Sequence, residues 1–210
     1  MDSAILIGDL NVRPAAIARR ARLIGVATTV IAEEGVGSCT FRRLAEAAGT
    51  STRPFTHMFG FREVMLAAVA SESWVERAAW LSVAADVPGG DGSILAELVA
   101  RGEQRLPLSP ELARLERAHI ELTLFSISRP ALREEFLRIH RESGAHLAAR
   151  IAEGQQVGQI TTELSAVELG QAYIALFDGL GLLRLSLPEE NSPDVLIAKW
   201  RRSVRQLMEP

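Results

Sequence analysis

Apolar residues recur along the 210-residue chain with the period of an α-helix, and no segment shows the clear apolar–polar alternation of a half-buried strand. Leu23, Ile24, Ala27, Val30 and Ile31 fall at i, i+1, i+4, i+7 and i+8, one stripe of a helix predicted over 14–34. Pro14 suits its first turn, where a missing N–H has no partner to lose. Gly35 and Gly37 follow as stop signals. Thr40 opens a short helix to Ala48, stopped by Gly49. Ser51 is placed to cap another that ends near Met58, ahead of Gly60. A longer helix is predicted over about 62–84, and the strongest loop signal, DVPGGDG, spans 86–92.

Five more helices are predicted behind that loop, at about 93–105, 110–127, 130–154, 166–187 and 193–208. Their starts carry capping chemistry. Ser109-Pro110-Glu111 and Ser192-Pro193-Asp194 pair a cap with a first-turn proline and an early acid. Ser165 and Glu168 have the spacing of a capping box. The expectation is an all-α chain of about nine helices: an N-terminal helix-turn-helix domain over 1–62 and a C-terminal helical domain over 63–210.

The two short helices carry the chemistry. Leu44, Ala45 and Ala48 make an apolar face on the first; Phe55 and Phe59, at i and i+4, make one on the second. Helices this short are unstable alone and must pack on the stripe of the first helix. Gly49 between them supplies the positive φ that a sharp turn demands. The predicted outward set on the second is Thr52, Arg53, Thr56 and His57, side chains able to reach base edges and phosphates in a major groove. Thr40, Arg42 and Arg43 on the preceding helix, and Arg62 at the start of the next, are expected to hold phosphates. A solvated helix hairpin is the plainer reading of two arginines on a short helix. The turn glycine and the hydrogen-bonding face favour double-stranded DNA.

Residues 20–66 resemble the DNA-binding domain of the tetracycline-repressor-like (TetR) transcriptional regulators. The matching pieces are the apolar run 23–31, Glu34-Gly35, Thr40, Leu44-Ala45, Ala47-Ala48-Gly49, Ser51, Phe55, Phe59-Gly60, Arg62-Glu63 and Leu66. Two positions depart from the family pattern. Thr50 stands where an apolar residue is usual, and Thr56 where a phosphate-touching Tyr is usual. The resemblance implies an all-α homodimer that binds a palindromic operator, with a small-molecule pocket in the C-terminal domain and repression released by the ligand. It also implies that the last two long helices form the dimer interface.

Helix 166–187 is apolar nearly all round, so it must be covered on more than one side. Together with helix 193–208 it points to an interface through Leu176, Leu180, Leu183, Leu196, Trp200 and Val204. Gly179 and Gly181 suggest close approach of another helix. The candidate effector-lining residues are His119, Thr123, Phe125, Phe136, His146, Tyr173 and Phe177, aromatic or polar groups on helices with apolar faces.

Composition adds limits. Residues 1–70 hold eight arginines against six acids, whereas 71–210 hold fifteen basic against twenty acidic residues. The front is thus suited to phosphates and the rear would be repelled by them. Cys39, the lone cysteine, excludes an intrachain disulfide. Glu116 and His119 are three apart, but further metal ligands are not apparent, so neither metal nor cofactor is expected. The start of the chain does not read as a signal peptide, and Gln171, Asp178 and Arg184 interrupt the most apolar stretch. A cytoplasmic protein that does not enter the membrane is expected. The sequence lacks a nucleophile elbow, a phosphate-cradling glycine loop and a zinc motif. The alternative is a small-molecule-binding helical protein, or an enzyme, with a vestigial DNA-binding unit.

Overall fold

The computed structural model describes residues 14–82 and 92–210; the loop predicted at 86–92 and the end of the fourth helix lie almost wholly outside them. The described residues form nine α-helices and no strand: α1 Pro14–Glu34, α2 Phe41–Ala47, α3 Arg53–Phe59, α4 Arg62–Ser82, α5 Ile94–Arg105, α6 Pro110–Ile127, α7 Pro130–Gln156, α8 Ala166–Ser186 and α9 Pro193–Met208. A 3₁₀ turn, Val36–Ser38, lies between α1 and α2. The chain divides inside α4, between Val69 and Ala70, into two compact units.

Helix starts follow the capping chemistry. The hydroxyls of Thr40, Ser93, Ser109, Ser165 and Ser192 each accept from a backbone N–H three residues on. Such caps contribute about 1 kcal/mol each. Ser165 and Glu168 close a full capping box. One cap is displaced from expectation. Thr52, not Ser51, precedes α3, and its side chain makes no capping bond because it already has helical φ and ψ.

In the first unit the α1 stripe is buried as its period requires: Ala27 and Ile31 are fully enclosed, as are Leu44 of α2 and Phe55 of α3. The rings of Phe41 and Phe55 stack at 6.3 Å.

The core of the second unit is built on α5, α7, α8 and α9. Trp200 sits at its centre. Its ring meets Tyr173 edge-on at 4.9 Å and Phe177 at 5.7 Å, and its indole N–H donates to the Val99 carbonyl at 2.8 Å. Gly102 makes the seat: a Cβ there would fall 1.9 Å from Trp200 Cζ2. The Tyr173 hydroxyl donates to the Leu98 carbonyl at 2.9 Å.

This packing corrects the interface expected from sequence. Leu180, Leu196, Trp200 and Val204 are buried within a single protomer. The physical reason is α5, whose Leu98, Val99 and Gly102 take up the inner faces of α8 and α9. Leu176 is half-buried, and Leu183 faces outward. Gly181 is also explained within the protomer, since a Cβ there would lie 2.6 Å from Glu116 Oε1. Added at Gly179, it would meet open space.

Candidate nucleic-acid surface and ligand cavity

In the first unit, Gly49 turns the chain at φ +60°, and Thr50 N–H donates back to the Ala45 carbonyl at 2.9 Å, closing α2. The chain re-enters helix at α3 with Phe55 and Phe59 held inward. Thr52, Arg53, Thr56 and His57 are thereby left exposed on the opposite face. The Thr56 hydroxyl donates back to the carbonyls of Thr52 and Arg53, at 3.3 and 3.1 Å, so it lies along its own helix.

The residues expected at phosphates divide in two. Arg42 is 89% exposed, with Glu46 at 3.9 Å. Arg43 is committed to Glu34: its Nε contacts both carboxylate oxygens at 2.9 and 3.0 Å, and its Nη2 lies 2.5 Å from Oε1. That hydrogen bond holds the Glu34 carboxyl below its ordinary range and raises Arg43 further. Arg62 donates from Nε to the Cys39 carbonyl at 2.9 Å and from Nη2 to the Val36 carbonyl at 2.7 Å. It ties together the Val36 carbonyl, which also accepts the Cys39 N–H at 3.3 Å, and the carbonyl of Cys39 that follows the turn, so Arg62 fixes the α1–α2 connection. Thr40, likewise, is the α2 cap, though its side chain remains exposed.

Two cations missed from the sequence join the exposed face. Arg19 and Arg22 on α1 line a concavity of about 480 Å³ together with Ser51, Arg53, His57 and Thr50. Three arginines around one recess give an anion-attracting surface next to the exposed side chains of α3. The signal was present as the RRAR run at 19–22, whose arginines fall off the apolar stripe.

The second unit contains a cavity of about 280 Å³ between α4, α6, α7 and α8. Trp74 and Phe136 form an aromatic corner, with ring centroids 5.2 Å apart, and His140 stacks on Phe136 at 5.6 Å. The Trp74 indole donates to the Thr123 hydroxyl at 3.2 Å. Arg77 donates to Glu116 at 2.5 Å and to Asp178, with its guanidinium 4.9 Å from the Phe177 ring centre. Burial pushes the Glu116 carboxyl above its ordinary value, and Arg77 offsets part of that rise. His119 is held well below its ordinary value by burial first, then by Arg77 and His140, and is neutral. Glu116 Oε1 and His119 Nδ1 are buried without a hydrogen-bond partner.

Three of the residues expected to line an effector site, His119, Thr123 and Phe136, lie on this cavity. The other four do not. Tyr173 and Phe177 point into the core against Trp200. Phe125 lies under the Arg129 guanidinium, 3.3 Å from it. His146 is exposed, bonded to the Glu142 carbonyl at 2.8 Å. Arg77, Glu116 and Asp178 were not anticipated as lining; Arg77 and Asp178 are brought together from 101 residues apart. Among the described residues no cluster of three His, Cys, Asp or Glu could hold a metal.

Fold and site together define a class: an all-α chain whose N-terminal unit is a helix-turn-helix and whose C-terminal unit is helical and bears a cavity. Solved structures of TetR-family transcriptional regulators share this fold. One from Rhodococcus sp. is 24% identical, with TM-score 0.73 over 91% of this chain and 98% of that one. A transcriptional regulator from Saccharomonospora viridis, solved in complex with choline, is 20% identical, with TM-score 0.79 over 92% of this chain and 99% of that one. A TetR-family regulator from Agrobacterium tumefaciens is 13% identical, with TM-score 0.72 over 92% of this chain and 99% of that one. No family model and no curated protein matches the chain by sequence.

Proposed function

We propose that the protein is a cytoplasmic DNA-binding transcriptional regulator, a homodimeric repressor whose hold on a palindromic operator is released by a small molecule. The observation that carries this reading is the α3 face. Thr52, Arg53, Thr56 and His57 stand exposed on a helix locked from behind by Phe55 and Phe59, beside a recess rimmed by Arg19 and Arg22. Arg53 has the reach for a bidentate guanine contact; Arg19, Arg22 and Arg42 supply phosphate contacts that do not depend on sequence.

Dimerisation is supported by α8. This helix is long and apolar enough to cross a membrane by length and composition, yet only 33% of that stretch is buried. Its outer face exposes Ala175 and Leu183, with Val195 of α9 also uncovered. A second copy packed about a two-fold axis covers that face and presents two α3 helices to two half-sites. Asp178 and Arg184 in the same helix favour a protein partner over lipid.

The cavity supplies the site for the small molecule, in line with the choline held by the S. viridis regulator. One helix, α4, carries Arg62 in its first turn and Trp74 and Arg77 further along. A ligand that moves these later turns acts on the helix that Arg62 ties to the α1–α2 connection. To release DNA it must bind the released state more tightly than the DNA-bound one. Binding, rather than catalysis, is the whole of this function.

The test is selection of bound fragments from genomic DNA by the purified protein. The reading expects one enriched motif with two-fold symmetry and half-sites spaced by about one helical turn or a multiple of it. No enrichment over bulk DNA, or a motif without symmetry, contradicts it.

A further inference from the structure

The charge pattern of the α4–α6–α7–α8 cavity specifies more than an apolar guest. Its charged lining is Arg77, Glu116 and Asp178, two acids against one base. Arg77 is occupied at both ends, donating from Nη1 to Glu116 Oε2 at 2.5 Å and from Nη2 to Asp178. It is therefore not available to receive an anion. The excess charge is negative, and an anionic guest would be desolvated beside it without a free cation as partner.

The unpartnered atoms point the same way. Glu116 is 6% exposed, and its Oε1 has no hydrogen-bond partner. A carboxylate oxygen is acceptor-only, so it calls for a donor. His119, one turn along the same helix, leaves Nδ1 unpartnered as well. An apolar guest leaves the negative excess of the wall uncompensated; an ammonium beside Glu116 and Asp178 offsets it. The aromatic corner of Trp74 and Phe136 offers area to the apolar body of such a guest. At interior packing density, about 280 Å³ admits roughly ten to fifteen non-hydrogen atoms.

We propose that the effector is an organic cation: a protonated amine of that size on an apolar or aromatic body, its ammonium directed to Glu116. The proposal rests on the reading of this cavity as the effector site and adds the chemical class of the ligand.

The experiment titrates the purified protein by calorimetry with three probes of matched size: 4-phenylbutylamine, 4-phenylbutan-1-ol and 4-phenylbutyrate. The same titrations are run on Ala78→Leu, which fills the cavity from α4, and on Glu116→Gln. The expected result is a Kd for the amine at least roughly tenfold lower than for the alcohol. The carboxylate shows no measurable binding. Ala78→Leu abolishes amine binding, and Glu116→Gln brings amine and alcohol together. The ranking of probes uses the unaltered protein, so it stands even if Glu116→Gln fails to fold. If the alcohol or the carboxylate binds as tightly as the amine and Ala78→Leu abolishes it, the cavity remains a ligand site and the cation assignment is overturned. If no probe binds, or amine binding survives Ala78→Leu, the effector-site reading falls and the proposal with it.

Discussion

Replacing Arg77 with Met tests the electrostatics of the cavity wall. Arg77 is 16% exposed and Glu116 6%, so the pair is largely desolvated. Removing one partner of such a pair strands the other charge at about 3–5 kcal/mol. Met keeps most of the side-chain volume, so little of the loss comes from packing. All three tryptophans, Trp74, Trp80 and Trp200, lie in residues 70–210, so their fluorescence follows unfolding of that unit alone. With a urea dependence of about 2 kcal/mol per molar, the midpoint falls by about 1.5–2.5 M at neutral pH. The loss depends on pH with a definite sign. Burial already raises the Glu116 carboxyl above its ordinary value in the folded protein, and Arg77 lowers it. A folded pKa above the unfolded one means the native state takes up a proton between the two, so stability falls as pH rises through that window. Without Arg77 the folded pKa moves higher and the window widens upward. The deficit of Arg77→Met is therefore largest at neutral pH and shrinks on acidification towards the ordinary carboxyl range. Urea titrations of both proteins at about pH 7.5 and about pH 5 measure it. A deficit of the same size at both values refutes the account of Glu116 as a stranded carboxylate. So does a failure of Glu116→Leu, added to Arg77→Met, to recover most of the loss.

Four further outcomes follow from the same structure. Trp200→Ala destabilises the second unit by about 3–5 kcal/mol in urea denaturation, because it empties the seat on Gly102. Leu183→Glu leaves helical circular dichroism unchanged and yields monomers in sedimentation. Arg22→Ala weakens binding to all duplexes alike and lowers the slope of log K against log salt by about one, read by fluorescence anisotropy at several salt concentrations. The Cys39 thiol, buried and pushed up to about 12, resists alkylation in the native protein and reacts in urea, as mass spectrometry would record.

Elements with strong local signals were legible in the sequence. The stripe from Leu23 to Ile31, the serine caps at 109, 165 and 192, and the first-turn prolines locate helix starts closely, because each acts within one or two turns. The turn Val36–Ser38 was not legible, since three residues show no period. The α3 face was readable because Phe55 and Phe59 define its opposite by geometry. The role of Arg62 was not, because its partners are backbone carbonyls, which carry no residue signature. The error at Trp200 has a similar origin. A helix apolar all round must be covered, but the pattern does not say by what, and α5 of the same chain proved to be one answer. In the cavity, His140 and His146 look alike in sequence. Both are exposed, but their six-residue spacing puts them on different sides of α7, and of the two His140 alone lines the cavity, stacked on Phe136.

The central claim is that the exposed face of α3 reads DNA sequence. The most direct measurement compares wild type and Arg53→Ala on the selected operator and on a scrambled duplex of equal length, at one fixed salt concentration. The account predicts that the operator loses roughly 5- to 150-fold in affinity, the cost of about 1–3 kcal/mol for one base contact, while the scrambled duplex changes little. Equal loss on both duplexes, or loss on neither, contradicts it.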